Sequence, residues 1–312
     1  MKKSLLILTG PTAAGKTALS LKLAKDLNGE IVSADSVQVY KYMDIGSAKI
    51  RPEEMEGVPH HLIDIIEPTE DFDVMKFSAF AKEAIADILG RGRLPILVGG
   101  TGFYIQAVLY DIAFTEESDD GTIRKQLEIS YDNDGADALF SRLMDIDPAS
   151  AAIIHKNNKK RLIRALEYYE LTGEPISVHN ERERSRKAAY DFLYYVLTDD
   201  RTLLYRRIDR RVDAMIAEGL VDEVAGLRER GVKKGMTAMQ ALGYKEIDAY
   251  LDGTITLEEA VYTIKRDTRH FAKRQLTWFK REKDVRMIDR REYTSDDKIA
   301  RMIEEEARKR LL

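Results

Sequence analysis

The chain has 312 residues, 44% of them hydrophobic and 33% charged, with a formal net charge of −4. This composition excludes a disordered polypeptide and suits a folded chain of one large domain plus a smaller one. Cysteine is absent, which excludes disulfides, thiol nucleophiles and Cys-ligated zinc, and fits a reducing compartment. Charge is unevenly placed: residues 1–154 hold 15 Lys and Arg against 25 Asp and Glu, while residues 155–312 hold 35 against 29. A basic second half directs attention to a polyanionic partner there, although a solvated charged face is the plainer reading of any such run.

The apolar run before Thr9 is only about five residues, short of the ~7–15 of a secretory signal, and no small-residue cleavage site follows it. It is read instead as a buried strand, Lys3–Thr9, followed by a helix over Lys16–Leu27 and a strand over Glu30–Ser33 that ends at Asp35. A further strand is expected over His61–Ile66, a helix over Val74–Leu89, and an apolar strand over Leu94–Val98. Strands alternating with helices predict a parallel sheet covered on both faces. From Asp111 to about Tyr190 the strand signal stops, and helices are expected over Ile123–Ile129, Ala136–Met144 and Arg161–Leu171. The segment Glu181–Lys187 reads as a polar, mobile loop. A strand over Phe192–Leu197, helices over Leu203–Glu218 and Leu257–Lys280, and a last strand over Val285–Ile288 complete the chain. The expected architecture is therefore an α/β fold, a P-loop sheet core from residues 1–110 and 191–312, interrupted by an all-helical insertion at 111–190. No run reaches the ~18 apolar residues that cross a membrane, so a soluble, cytoplasmic chain is expected.

Gly10–Thr17, GPTAAGKT, fits the P-loop pattern GxxxxGK[ST] in the required setting, after an apolar strand and at a helix start. Backbone N–H groups of Gly10, Pro11's successor Thr12, Ala13, Ala14 and Gly15 turn toward a phosphate, and the helix N-terminus adds partial positive charge. Lys16 supplies a point charge and the Thr17 hydroxyl is placed for Mg²⁺. The later strand LPILVGG runs into Gly99-Gly100-Thr101-Gly102 with no acid where a nucleotide hydrolase carries its metal-binding Asp. Asp35, at the carboxyl end of another strand, should instead face the P-loop, as a base or a metal ligand; capping the turn that follows it is the alternative. Thr101 ends the neighbouring strand with a hydroxyl available to a leaving phosphate or a base.

These residues resemble the tRNA dimethylallyltransferases (isopentenyl-tRNA transferases) nearly end to end. The blocks are GPTAAGKT at Gly10–Thr17, DSVQVY at Asp35–Tyr40, DIGSAK at Asp44–Lys49, PHHLID at Pro59–Asp64, VGGTGFY at Val98–Tyr104 and KRLIRALE at Lys160–Glu167. RRVDAMIAEGLVDEV at Arg210–Val224, QALGYKE at Gln240–Glu246 and AKRQLTWF at Ala272–Phe279 follow in order. Ile50, often Pro in the family, and Val37, a variable position, are minor departures. Eukaryotic members often carry a Cys/His zinc finger; this cysteine-free chain resembles the bacterial form.

The resemblance implies transfer of the dimethylallyl group of dimethylallyl diphosphate to N6 of adenosine 37, beside the tRNA anticodon, with Mg²⁺ as cofactor. The P-loop would then grip a leaving diphosphate, aided by Arg211, whose plainer role is a helix-surface ion pair with Asp209 or Asp213. Asp35 would be the general base, and Ser36, Val37 and Gln38 would line the adenine pocket. Arg124 is implied near the entry of the reacting base, and Thr101 is counted among both the catalytic and the tRNA-contacting residues. For the anticodon stem-loop, cations and flat groups are needed: Lys160, Arg161 and Arg164, with Leu162 and Ile163 between them, form one patch. Gln240, Gly243, Tyr244 and Lys245 form another. Lys265–Lys283 has 8 Lys and Arg against 2 Asp and Glu, and there Lys273, Arg274 and Gln275 are the contacts, with Trp278 left open between RNA and core. No membrane partner is expected, and the chain is expected to act as a monomer. A P-loop small-molecule kinase would explain residues 1–110 but not the later basic helices. A GTPase-like RNA-binding switch would need a base-specifying Asn/Thr-Lys-x-Asp motif, which the chain lacks.

Overall fold

A computed structural model describes residues 3–112, 121–184 and 186–312, with Arg184 described by its backbone alone. Strand β1 (Ser4–Thr9) is buried at every position, and helix α1 (Lys16–Asp26) follows it directly after the P-loop. Next come β2 (Gly29–Ala34), the two-residue β3 (His60–His61), α2 (Val74–Gly90), β4 (Leu94–Gly99) and α3 (Gly102–Leu109). A run of helices then occupies the middle of the chain: α4 (Thr122–Asp134), α5 (Ala136–Ile146), α6 (Pro148–Ala151), α7 (Lys159–Thr172) and α8 (Ile176–Arg184). The chain returns to the sheet with β5 (Asp191–Thr198), followed by α9 (Arg201–Ala217), α10 (Leu220–Glu229), α11 (Tyr244–Leu251), α12 (Leu257–Phe279), β6 (Val285–Asp289) and α13 (Asp296–Arg310).

Two compact units result, one of residues 1–111 with 189–312, the other of residues 112–188. In the first, six parallel strands lie in the order β3-β2-β4-β1-β5-β6. Parallel strands need crossovers, and the helices that make them cover both faces. Leu6 and Leu8 of β1 point to a cluster with Leu19 and Leu23 of α1 and Ile299 and Ile303 of α13. Leu5 and Ile7 alternate to the opposite face and are equally inaccessible. On that side α2 and α3 pack together, with Phe77 stacked on Tyr104 at 4.2 Å between ring centres. Strands β2 and β4 lie on one side of β1 and strands β5 and β6 on the other, so the crevice outside the carboxyl ends opens at β1.

The second unit has its own core, in which Leu127 of α4, Leu139 and Leu143 of α5, and Leu162, Ile163 and Leu166 of α7 meet.

Two expectations change. The strand over His61–Ile66 shrinks to His60–His61, because Leu62 and Asp64 take left-handed φ values of 63° and 54°; the Asp64 carboxylate is drawn out of line to Lys49 Nζ at 2.5 Å. The mobile loop over Glu181–Lys187 is instead helical through Arg184 as the end of α8, while Ser185 lies outside the described residues.

Candidate active site

The P-loop leaves β1 at Thr9 and enters α1 at Lys16. Lys16 Nζ donates to the carbonyls of Gly10 (3.0 Å) and Pro11 (2.9 Å), which curls the loop around its own lysine. Lys16 keeps part of its surface, yet burial of the ammonium, followed by the nearby positive Arg211, pushes its pKa down to about 8; Asp35 acts in the opposite direction. Thr17 is exposed in the first turn of α1.

Three side chains from distant parts of the chain hold this loop. Gln275 of α12, 7% exposed, accepts from Thr12 N at 3.0 Å and donates to Gly100 O at 2.9 Å, joining the P-loop to the end of β4. Arg290, just past β6, donates to Ala14 O at 2.7 Å and is itself fixed by Asp296. Arg211 of α9 reaches Thr12 Oγ1 at 3.5 Å; burial lowers its pKa and Asp35 opposes that shift. Arg211 also forms a wall of a cavity of about 380 Å³ between α9 and the 44–51 loop, whose other lining includes Ile45, Lys49, Arg51, Ala214 and Met215.

Asp35 follows β2 and Thr101 follows β4, so the P-loop, Thr101 and Asp35 come off three adjacent strands at one sheet edge. Asp35 Oδ1 accepts from Val37 N (2.8 Å) and Gln38 N (3.3 Å), which is the capping role, and Oδ2 has no partner among the described residues. The capping reading of Asp35 is thus seen at Oδ1, and Oδ2 remains available to a ligand. Thr101 starts α3 with its hydroxyl uncommitted to the helix. The single tryptophan, Trp278, is 38% exposed and stands edge-on to Phe103 at 6.4 Å. A Cβ on Gly102 would lie 2.3 Å from the Trp278 ring, so only glycine lets the indole close over the turn beside Thr101. Trp278 is therefore neither core nor free surface but a half-exposed rim of the crevice.

Comparison with known proteins bears directly on this arrangement. The model of the IPP transferase family matches residues 38–282, and that of the isopentenyl transferases matches residues 3–67. A tRNA dimethylallyltransferase of Lachnoclostridium phytofermentans is 59% identical over 95% of this chain and 94% of its own length. The chain belongs to the IPP transferase family. Among solved structures, the tRNA isopentenylpyrophosphate transferase of Bacillus halodurans is 46% identical, with a TM-score of 0.75 over 99% of this chain and 97% of its own. A eukaryotic dimethylallyltransferase acting on tRNA is 33% identical, with a TM-score of 0.79 over 93% of this chain and 74% of its own.

Within this IPP transferase, several residues expected at the RNA face lie elsewhere. Leu162 and Ile163 are 0% and 2% exposed in the core of the helical unit, because α7 turns them away from its charged face; they hold the helix and have no side chain to offer RNA. Tyr244 is 0% exposed and donates to Glu223 Oε1 at 2.7 Å, so its ring cannot stack on a base. Gln275 spends both ends of its amide on the P-loop and β4. Gly243, with φ 94°, is buried as the N-cap of α11. Exposed and consistent with a polyanion are Lys160, Arg161 and Arg164 of α7, Gln240 before α11 and Lys245 in its first turn, and Lys273 and Arg274 of α12. Arg124 is also exposed, and it shares the buried Glu167 carboxylate with Arg164, at 3.5 and 3.3 Å. Ser36 is exposed at the mouth of the crevice and Val37 half-buried. Gln38 donates its amide to the carbonyls of Ser47 and Ala48 at 3.4 Å each. Sequence reasoning missed Glu223, Arg290 and Lys49. Lys49, its side chain 4% exposed, ties three family motifs together through Tyr40 O (2.8 Å), Asp44 (2.6 Å) and Asp64 (2.5 Å).

Among the described residues no group of three or more His, Cys, Asp or Glu could hold a metal, and no helix is long and apolar enough to cross a membrane.

Proposed function

We propose that this chain transfers the dimethylallyl group of dimethylallyl diphosphate to N6 of adenosine 37 in tRNA. The observation that carries the proposal is a phosphate-binding loop and a carboxylate oxygen, Asp35 Oδ2, without a partner among the described residues, at one edge of the sheet of an IPP transferase. The diphosphate is the leaving group. As the allylic C–O bond breaks, its electron pair goes to the diphosphate oxygen, where the P-loop amides, Lys16 and Arg211 stabilise the developing charge. The N6 lone pair is delocalised into the purine and makes a weak nucleophile. Asp35 orients the amine and takes its proton as the N6–C bond forms, an effect worth roughly 10²–10⁴ in rate. The Thr101 hydroxyl, next to this path, donates to the diphosphate or to Asp35.

Mg²⁺ fits the residues present in a limited way. Among the described residues, which hold no carboxylate cluster, the exposed Thr17 hydroxyl is what the chain offers, and it suits an ion that keeps most of its waters and binds substrate phosphates. Bound there, it would neutralise diphosphate charge.

A stacked anticodon-loop base must be extruded to reach Asp35. We read the exposed cations of α12 and the Trp278–Phe103 rim as the RNA side of the first unit, and Lys160, Arg161, Arg164 and Arg124 as the tRNA-contacting face of the second. The enzyme is taken to work as a cytoplasmic monomer.

The test is incubation with dimethylallyl diphosphate, Mg²⁺ and an unmodified tRNA carrying three consecutive adenosines at positions 36 to 38, read by mass spectrometry of nucleosides. N6-dimethylallyladenosine is expected, and its absence beside robust phosphorylation of metabolites by ATP would replace this reading with a kinase. Asp35→Ala is expected to abolish transfer while tRNA binding in a gel-shift assay stays within about three-fold; undiminished turnover would remove Asp35 as the base.

A further inference from the structure

The Glu223 carboxylate, in the first turn of α10, accepts four hydrogen bonds. Three come from consecutive backbone N–H groups: Asp44 at 2.9 Å, Ile45 at 2.7 Å and Gly46 at 3.0 Å. The fourth comes from the Tyr244 hydroxyl at 2.7 Å. Consecutive N–H groups turned to one point form an anion nest, and here the nest is filled by the protein's own carboxylate. Tyr244 braces the same place from behind. A Cβ on Gly46 would sit 2.5 Å from the Tyr244 ring, so the loop presses against the phenol with glycine as the only residue that fits. Three motifs distant in sequence, DIGSAK, DEV and GYKE, thus meet at one carboxylate.

The loop held in this way does not end at the nest. Its next two carbonyls, Ser47 and Ala48, accept from the Gln38 amide at 3.4 Å each, and the other end of that amide accepts from Ser33 Oγ at 3.2 Å. Gln38 N in turn donates to Asp35 Oδ1. A continuous path of hydrogen bonds therefore runs from Glu223 through residues 44–48 to Gln38 and Asp35. The P-loop itself is held by other side chains, Gln275 and Arg290.

We propose that Glu223 is a positioning residue for the acceptor, fixing the 44–48 loop and through it the Gln38 and Asp35 groups that receive the adenosine. The inference rests on the tRNA-modifying reading above. Its consequence is asymmetric: loosening the nest degrades use of tRNA and spares use of dimethylallyl diphosphate. Replacing the carboxylate by an amide turns an NH₂ group toward N–H donors, so the loop must shift rather than lose a single bond.

The experiment is steady-state kinetics of wild type, Glu223→Gln and Tyr244→Phe, varying each substrate at saturating concentration of the other. For Glu223→Gln, KM for tRNA should rise at least about ten-fold, the effect of one lost charge-assisted bond being the lower bound for a loop that shifts, with KM for dimethylallyl diphosphate within about two-fold. Tyr244→Phe keeps the three backbone bonds and should raise KM for tRNA only about two- to three-fold. Parallel rises in both constants, or a lowered melting temperature with both constants unchanged, would show a merely structural role and overturn the proposal. If Glu223→Gln does not fold, Gly46→Ala displaces the same loop with the carboxylate intact and should show the same acceptor-specific rise; two unchanged constants would again overturn it. A wild-type enzyme that turns over no tRNA would overturn the functional reading and this inference with it, whereas an active wild type with indifferent variants overturns this inference alone.

Discussion

Replacing Gln275 by leucine keeps the volume of the side chain and removes both of its hydrogen bonds at once. Gly100 O, whose bond is buried, would lose its partner, and a buried acceptor left unsatisfied costs about 1–3 kcal/mol. Thr12 N is only partly buried and recovers some of its loss from water, so a further ~0.5–1.5 kcal/mol is the fair addition. The variant should therefore unfold with about 2–4 kcal/mol less stability, which for a unit of this size shifts the melting temperature by roughly 4–16 °C. The functional effect is separate from the stability effect. Thr12 N belongs to the loop that grips the diphosphate, so KM for dimethylallyl diphosphate should rise more than KM for tRNA. Differential scanning calorimetry and two-substrate kinetics measure the two effects. A melting temperature within about 1 °C of wild type, together with an unchanged donor KM, would refute the claim that Gln275 holds the P-loop.

Two further outcomes follow from titrating groups. Lys16 is protonated below its depressed pKa of about 8 and loses its charge above it, so kcat/KM for dimethylallyl diphosphate should fall as pH rises through that value. Lys16→Met should lower kcat/KM and erase that inflection; a retained inflection would assign it to another group. Glu30, 1% exposed, is held by Arg91, Arg93 and His61, and its pKa is lowered from 4.5 to about 2, first by the Arg91 hydrogen bond. A depressed carboxylate contributes stability above its ordinary pKa, and that contribution is lost as pH falls from 4.5 through about 2. Its size is on the order of 3 kcal/mol. Urea unfolding between pH 6 and 2.5 should show this loss for wild type and a flatter curve for Glu30→Gln, and parallel curves for the two proteins would refute it.

The order of strands and crossover helices was legible in the sequence because each is a local pattern. Apolar runs such as Leu5–Leu8 have no alternative to a buried strand, and GPTAAGKT needs only a strand before it and a helix after it. Helices α3, α10, α11 and α13 were not expected: α3 is an eight-residue run without charge that shows no polar face, the apolar faces of the other three are interrupted by charge, and it is packing on neighbouring elements that makes them fold. Lys160–Arg164 shows the same limit at the level of single residues. The spacing placed the cations on one face, but it did not show that Leu162 and Ile163 point into the unit's core.

What the sequence by itself determined is the identity of the groups: a P-loop, a carboxylate after the second strand, a threonine after the fourth, and a basic helix near the end. Each is encoded within about ten residues, where chemistry and local conformation are inseparable. What only the tertiary structure decided is which groups are spent on one another. Gln275 and Tyr244 have the chemistry of RNA ligands and are instead bonded to the P-loop and to Glu223. Asp35 spends one oxygen on a turn, and the other has no protein partner among the described residues. A hydrogen-bonding group buried beside a suitable partner is satisfied by it, and those partners lie up to 263 positions away in sequence, beyond the reach of any local pattern.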